Sequence, residues 1–306
     1  MIWRGRLGLI YHYFCTRMCK NKFRVQDALK CFNDELNESF TVREKRQIGK
    51  LFVMNALNYS AADLLLAKKE SISEFIMTSL NSSILRMNQG EPMQYVLGSV
   101  YFYDLHIEVD SNVLIPRPET EELVDWIVKM YKNRTELRVL DIGTGSGCIP
   151  LGIQSTFSSA TVLGVDCMEK AIAVARKNAE QLSLPVSFLT ADALNEETMP
   201  KDQFDVIVSN PPYIPHREKK EMQPHVVDHE PSEALFVSND DPLVFYKEIA
   251  NYAKTHLSTS GGLFFEVHEN LAKDVKNYLI LSGFNQVEIR FDLQGKERMI
   301  HAQLEI

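Results

Sequence analysis

The sequence has five cysteines, Cys15, Cys19, Cys31, Cys148 and Cys167, but no CxxC pair and no even disulfide framework. Free thiols in a reducing compartment are expected. His12, Cys15 and Cys19 lack the fourth ligand that a structural zinc requires. No apolar run approaches the roughly 20 residues of a membrane span. Basic residues are in deficit, 33 against 41 acidic, for a formal charge of −8 over 306 residues. The deficit is uneven. Residues 1–26 carry six basic side chains (Arg4, Arg6, Arg17, Lys20, Lys22, Arg24) and no acid, so the remaining 280 residues stand at a formal −14. A body that acidic lacks the footprint of a protein that grips naked nucleic acid through its phosphates. Apolar residues at 45% and charged residues at 24% exclude a fibrous or largely disordered chain.

The length suits two domains, because single cores rarely grow past about 250–300 residues. Residues 1–24 form a basic extension, acid-free as transit peptides are but poor in serine, and Met18 is an alternative start. Glycine and proline are nearly absent from 25 to 87, where apolar residues recur three and four apart (Leu51, Met54, Leu57, then Leu64 and Leu65). A helical bundle over 25–89 is expected, with Ser71 and Glu74 as a capping box, and docking as its most direct use. Residues 90–118 read as a connector, with a hairpin-like YFYDLHIEV; Pro116 and Pro118 stiffen the chain around Arg117. Thr120 caps a helix to about residue 131.

From 119 to 306 the expectation is an α/β domain. Strands are expected at 139–142, 162–166, 186–190, 204–209, 263–267, 287–290 and 299–303. Helices fall at about 147–157, 168–182, 242–257 and 270–282. Short strands alternating with helices build a parallel sheet covered on both faces, with the final strand antiparallel.

The first strand runs into DIGTGSGC. Asp141 ends it, and Gly143, Gly145 and Gly147 follow at alternate positions. A dinucleotide fingerprint needs glycine three residues after its second one, and Cys148 stands there. A carboxylate beside a glycine loop suits a cationic ligand, the pattern of S-adenosylmethionine sites. Asp166, ending the second strand, can accept ribose hydroxyls or cap the next helix. Asp192 at the tip of the third can receive an adenine amino group or stand as a surface acid. The fourth strand delivers Asn210-Pro211-Pro212-Tyr213. Two prolines stiffen the backbone and leave its carbonyls free. The Asn210 amide oxygen and the Pro211 carbonyl can then accept both N–H bonds of a planar NH₂ group, with Tyr213 stacked on it. His225 and His229 are four apart, but Pro224 is expected to break the helix that would align them.

The ordered run GEPMQYVLGS, NVLIPRPETEELV, DIGTGSG, GVD, NPPYI and HEPSEAL resembles the release-factor glutamine methyltransferases, from about residue 25 to the end. NPPY alone is shared with adenine-N6 and other amino-methylating enzymes; NPPY with IPRPETE is far more specific. The resemblance implies a Rossmann-like seven-stranded methyltransferase sheet behind a small helical domain. It implies methyl transfer from S-adenosylmethionine to the side-chain nitrogen of the glutamine in the GGQ motif of class 1 peptide chain release factors. Gly143, Thr144, Gly145, Ser146, Gly147 and Asp166 would bind the cofactor, with Asp141 and Asp192; Ala193 stands where the family often has an aromatic residue. Asn210 to Tyr213 would hold the glutamine amide, and Phe102, Arg117 and the rest of the 116–119 loop would wall the pocket. The resemblance makes monomeric action the expectation; from the residues themselves no metal and no membrane span are expected, and the expected location is the bacterial cytoplasm or, as the alternative, the mitochondrion. A nucleic-acid adenine-N6 methyltransferase shares the NPPY chemistry, but the acidic body opposes it. A non-catalytic module need not keep Asp141, three glycines and Asn210 together.

Overall fold

A computed structural model describes residues 23–304, so His12, Cys15, Cys19 and Met18 lie outside the described residues. The chain divides into two compact units between Leu97 and Gly98. In the first, the short antiparallel pair β1 (Phe23–Arg24) and β2 (Ser71–Ile72) accompanies helices α1 (Val25–Glu35), α2 (Val42–Leu57), α3 (Ala61–Leu66), α4 (Glu74–Asn88) and α5 (Met93–Leu97). Caps set the helix starts. The Thr41 hydroxyl accepts from the Glu44 amide while the Glu44 carboxylate accepts from the Thr41 amide, a capping box that Ser60 and Asp63 repeat. Phe32 and Phe52 pack with ring centroids 5.4 Å apart. A Cβ on Gly49 would stand 2.8 Å from the Phe32 Cβ, so glycine lets α2 approach that closely.

One expectation is corrected here. Ser71 pairs with Arg24 in β2, and the cap of α4 is Ser73, whose hydroxyl accepts from the Ile76 amide. Leu65 is exposed, because a six-residue helix offers the core one position, which Leu64 takes.

The second unit opens with the hairpin β3 (Ser99–Phe102) and β4 (Leu105–Glu108), turned through Tyr103 and Asp104, both at positive φ. That is the primed geometry whose twist matches the flanking strands. Helix α6 (Pro118–Tyr131) starts with proline at its first position, where no amide partner is lost. Arg117 is therefore its N-cap, and Thr120 sits in the first turn with its hydroxyl free for another use.

The sheet follows in alternation: β5 (Arg138–Ile142), α7 (Cys148–Thr156), β6 (Thr161–Asp166), α8 (Glu169–Leu182), β7 (Val186–Thr190) and β8 (Phe204–Ser209). A two-stranded parallel pair is formed by β9 (Ile214–Pro215) and β10 (Phe236–Val237), between which lie α9 (Pro224–His229) and α10 (Ser232–Leu235). Pro224 starts α9 instead of breaking it, so His225 and His229 share one short helix. The chain ends with α11 (Val244–His256), β11 (Leu257–Glu266), α12 (Ala272–Leu281), β12 (Phe284–Phe291) and β13 (Glu297–Leu304).

The strand order is β12-β13-β11-β8-β5-β6-β7, a Rossmann-like mixed sheet in which β13 runs antiparallel to both neighbours. Central strands read as continuous apolar runs because both faces are covered; Val139, Leu140, Val206, Ile207 and Val208 are fully buried. The chain winds outward from β5 through β6 to β7, then returns to the other side of β5 as β8. Open sheets bind ligands at that reversal, beyond the carboxyl ends of the strands.

Candidate active site

Two loops meet at the reversal, one after β5 and one after β8. In the first, Gly143, Gly145 and Gly147 all have positive φ, and the Gly143 and Thr144 amides donate to the Val165 carbonyl at 2.8 and 2.9 Å. The Asp166 carboxylate accepts from the Gly145 amide and from the Met168 amide, each at 2.9 Å. It thus ties the glycine loop to the start of α8, whose N-cap is Met168. Asn178, fully buried on α8, donates to the Ser146 and Glu108 carbonyls and fastens the hairpin to the same loop.

A pocket opens over this loop. Gly143, Gly145, Asp166, Asp192 and Ala193 line one part of it, and Asn210, Pro211 and Pro212 line another. Asp141, Thr144 and Ser146 lie buried beneath. Both carboxylate oxygens of Asp141 are buried without a hydrogen-bond partner. Burial pushes this carboxyl up to about 7, and the Asp166 charge adds to that shift. Gly147 is not a lining residue; a Cβ there would meet Ala175 and Phe188 at 3.1 Å, so it serves the packing of α8 and β7.

A second pocket lies on the other side of Asn210. Asn210, Tyr213, Arg117, Leu114 and residues of α9 and α10 line it. Asn210, Leu114 and Ala234 border both pockets. One Arg117 nitrogen bridges both Glu230 carboxylate oxygens at 2.6 and 2.8 Å, and Glu230 also accepts from the Ile115 amide at 3.2 Å. Phe102 lines neither pocket. Its side chain is buried against α6 and α7, with the ring edge 3.6 Å from where a Cβ of Gly152 would stand, so the wall expected of it is not formed.

Beneath Asn210 runs a chain of side chains from three elements. The Asn210 Nδ2 donates to the Thr120 Oγ1 at 3.3 Å, and the Thr120 hydroxyl donates to the Glu266 Oε2 at 2.6 Å. The Tyr213 hydroxyl stands 3.5 Å from the Glu266 Oε1, and its ring packs edge-on against His268. Burial pushes Glu266 up to about 7, against the opposing pull of Thr120, Arg298 and Arg117. Glu230 and Glu266 escape sequence reasoning, and Thr120 is read from it only as a helix cap. The available signal for Glu266 is a carboxylate directly after the apolar run LFF.

A sheet of this order, with a glycine loop and an NPPY turn at its reversal, defines a Rossmann-like methyltransferase. The family model "Methyltransferase small domain" matches residues 122–233, and "PrmC N-terminal domain" matches residues 27–98. A methyltransferase from Pyrococcus furiosus superposes with a TM-score of 0.51 at 20% identity, over 66% of this chain and 90% of that one. The chain belongs to the release factor glutamine methyltransferase family. It is 38% identical to the Flavobacterium psychrophilum "Release factor glutamine methyltransferase" over 78% of its own length and 84% of that protein's. It is 37% identical to the one from Bacteroides thetaiotaomicron, over 87% and 95% of the two chains.

Proposed function

We propose that the protein transfers a methyl group from S-adenosylmethionine to the side-chain N5 of the glutamine in the GGQ motif of a class 1 peptide chain release factor. The observation that carries this reading is Asn210 standing as the common wall of two pockets, one floored by the glycine loop and one open toward Arg117 and Tyr213. A transfer between two bound molecules needs their sites to adjoin, as these two do at Asn210.

The first pocket, with the acid buried beneath it, fits a cationic cofactor. Asp141 keeps two buried carboxylate oxygens unpartnered, and the glycines keep side chains out of the approach. When bound, S-adenosylmethionine supplies an electrophilic methyl group on a positively charged sulfonium. The chain's own part is to hold the nucleophile. A glutamine amide nitrogen is weak because its lone pair is delocalised into the carbonyl. The Asn210 Oδ1 and the Pro211 carbonyl accept its two N–H bonds, which returns electron density to nitrogen as it pyramidalises. Pro211 and Pro212 fix those acceptors in place, and Tyr213 walls the amide from the second pocket. Alignment contributes several kcal/mol to such a displacement, and no side chain need act as a general base. The proton leaves the product nitrogen to water.

The protein partner is the release factor, and the site of action is the bacterial cytoplasm, supported by the bacterial sources of the relatives. Among the described residues no helix is long and apolar enough to cross a membrane.

The test is incubation with methyl-labelled S-adenosylmethionine and either a release factor or DNA oligomers. Label is expected on the release factor, and not on one whose GGQ glutamine is replaced. Asn210→Ala is expected to lower transfer at least about a hundredfold, the scale of losing a preorganised hydrogen-bond acceptor. Label on DNA, or unchanged transfer by Asn210→Ala, overturns the reading.

A further inference from the structure

The side-chain chain beneath Asn210 has a direction. An ionised carboxylate only accepts hydrogen bonds, so Glu266 commits the single Thr120 hydroxyl proton to itself at 2.6 Å. Toward Asn210, Thr120 then offers lone pairs alone. The Asn210 group that faces Thr120 must therefore be its NH₂, at 3.3 Å, which leaves Oδ1 on the opposite side. Which way an asparagine amide points is ordinarily an assignment from its neighbours. Here the neighbours permit one answer. Resting on Asn210 as the amide-holding residue, we propose that Glu266 is a positioning residue: through Thr120 it fixes the Asn210 amide with its oxygen toward the substrate.

The three residues come from the loop after β8, the first turn of α6 and the end of β11. Glu266 and Thr120 are almost wholly buried, so water does not compete for the bond between them. Protonation reverses the chain. A neutral Glu266 can donate to Thr120, Thr120 can then donate toward Asn210, and the amide turns its NH₂ to the substrate, a donor facing a donor.

The groups facing Glu266 are few. Thr120, Glu119 and Arg117 approach from α6 and the residue before it. Tyr213 comes from the loop after β8, Tyr246 from α11, Arg298 from β13 and the buried, neutral Cys148 from α7; His268 follows two residues on. Arg298 and Arg117 favour the carboxylate and Glu119 opposes it, while burial, the largest influence, favours the neutral form. Activity is therefore present above a midpoint near 7 and lost as pH falls through it.

The test compares the full-length protein with Thr120→Val, Thr120→Ser and Glu266→Gln. Rates of methyl transfer to a release factor are measured from about pH 6 to 9, together with the cofactor Kd. In parallel, the Asn210 side-chain amide signals are followed by ¹⁵N NMR without any substrate, identified by their loss in Asn210→Asp. Thr120→Val is expected to lower kcat about tenfold, the rate equivalent of one hydrogen bond, with the cofactor Kd unchanged. Thr120→Ser is expected to stay within about threefold of the parent, because it keeps the hydroxyl. With S-adenosylmethionine kept saturating at every pH, so that Asp141 does not enter, the acidic limb of kcat is expected to vanish in Glu266→Gln, and the Asn210 amide signals to shift with a midpoint near 7 in the parent alone. Parent-like kcat in both Thr120→Val and Glu266→Gln overturns the proposal. So does a Thr120→Ser as impaired as Thr120→Val, or an Asn210 titration that is missing or survives in Glu266→Gln. If the parent leaves the release factor unlabelled while the Asn210 titration behaves as stated, the substrate reading fails and the positioning role stands.

Discussion

Arg117 bridges both carboxylate oxygens of Glu230, 113 positions further along the chain, with one guanidinium nitrogen at 2.6 and 2.8 Å. The contact joins the stiff IPRPE turn to the HEPSEAL segment, the two stretches that flank the second pocket. Glu230 is buried and also satisfies the Ile115 amide, whereas Arg117 is only partly covered.

Removing the buried partner leaves a half-covered guanidinium and an orphaned amide. Glu230→Ala is therefore expected to cost about 1–3 kcal/mol of stability by urea denaturation. It should also raise KM for the release factor several-fold while leaving the cofactor Kd within about twofold, since Glu230 lies outside the glycine-loop pocket. Arg117→Ala with Glu230→Ala should cost less than the sum of the two single changes. Strict additivity would show that the pair does not act as a unit.

Asp141 gives a stability prediction with a definite sign. Its folded-state carboxyl sits up at about 7 because of burial, against an ordinary 3.8. Between those values the folded protein keeps a proton that the unfolded chain has released, so stability falls as pH rises through that window. Asp141→Asn removes that dependence. The variant is expected to match the parent near pH 4 and to exceed it by about 1–3 kcal/mol at pH 8. It should nevertheless bind S-adenosylmethionine far more weakly, because the buried acceptor for a cation is gone. Urea denaturation across pH 4–8 decides it; curves that run parallel would refute the assigned shift.

The glycines near the loop separate two kinds of cost. A Cβ on Gly164 would stand 2.7 Å from the Thr144 Oγ1 and 2.8 Å from the Phe188 ring. Gly164→Ala is expected to destabilise by about 1–3 kcal/mol through overpacking. A Cβ on Gly145 would meet nothing within 4 Å, but its φ is +52° and it lines the pocket. Gly145→Ala should cost only about 1 kcal/mol of stability and fall mainly on cofactor affinity. Thermal melts set beside calorimetric titrations would distinguish them.

What the sequence makes legible follows the range of the physics. The strand at Phe204–Ser209 can be read to the residue because a buried strand is a short apolar run bounded by polar turns, and the edge strand Val186–Thr190, with only Phe188 buried, because Pro185 and the polar residues from Asp192 bound it. Asn210 to Tyr213 stands out because paired prolines can enter neither ladder nor helix. The cap of α4 is misread by two residues because SISE offers two serines, and pairing with Arg24 takes the first. Phe102 is misplaced because an apolar residue near a motif can face the core or the pocket, and only packing decides. Glu266 and Thr120 lie 146 positions apart, and Arg117 and Glu230 113; nothing local marks such partners.

Tyr213 allows the ring and the hydroxyl to be weighed separately. The hydroxyl stands 3.5 Å from the Glu266 Oε1, at the outer limit of a hydrogen bond and far weaker than the 2.6 Å bond from Thr120 to the same carboxylate. The ring lines the second pocket and packs against His268 with centroids 5.9 Å apart. Tyr213→Phe keeps the ring and loses only the long contact, so kcat should fall by less than about threefold. It should also lift the midpoint of the acidic limb slightly if at all, since Thr120 and Arg298 remain to hold Glu266 ionised. Tyr213→Ala opens the wall that holds the amide, and kcat/KM for the release factor should fall at least about a hundredfold, as misplacement of a reacting group does. Equal losses in the two variants would assign the hydroxyl a direct part in the transfer, and the ring would then be packing alone.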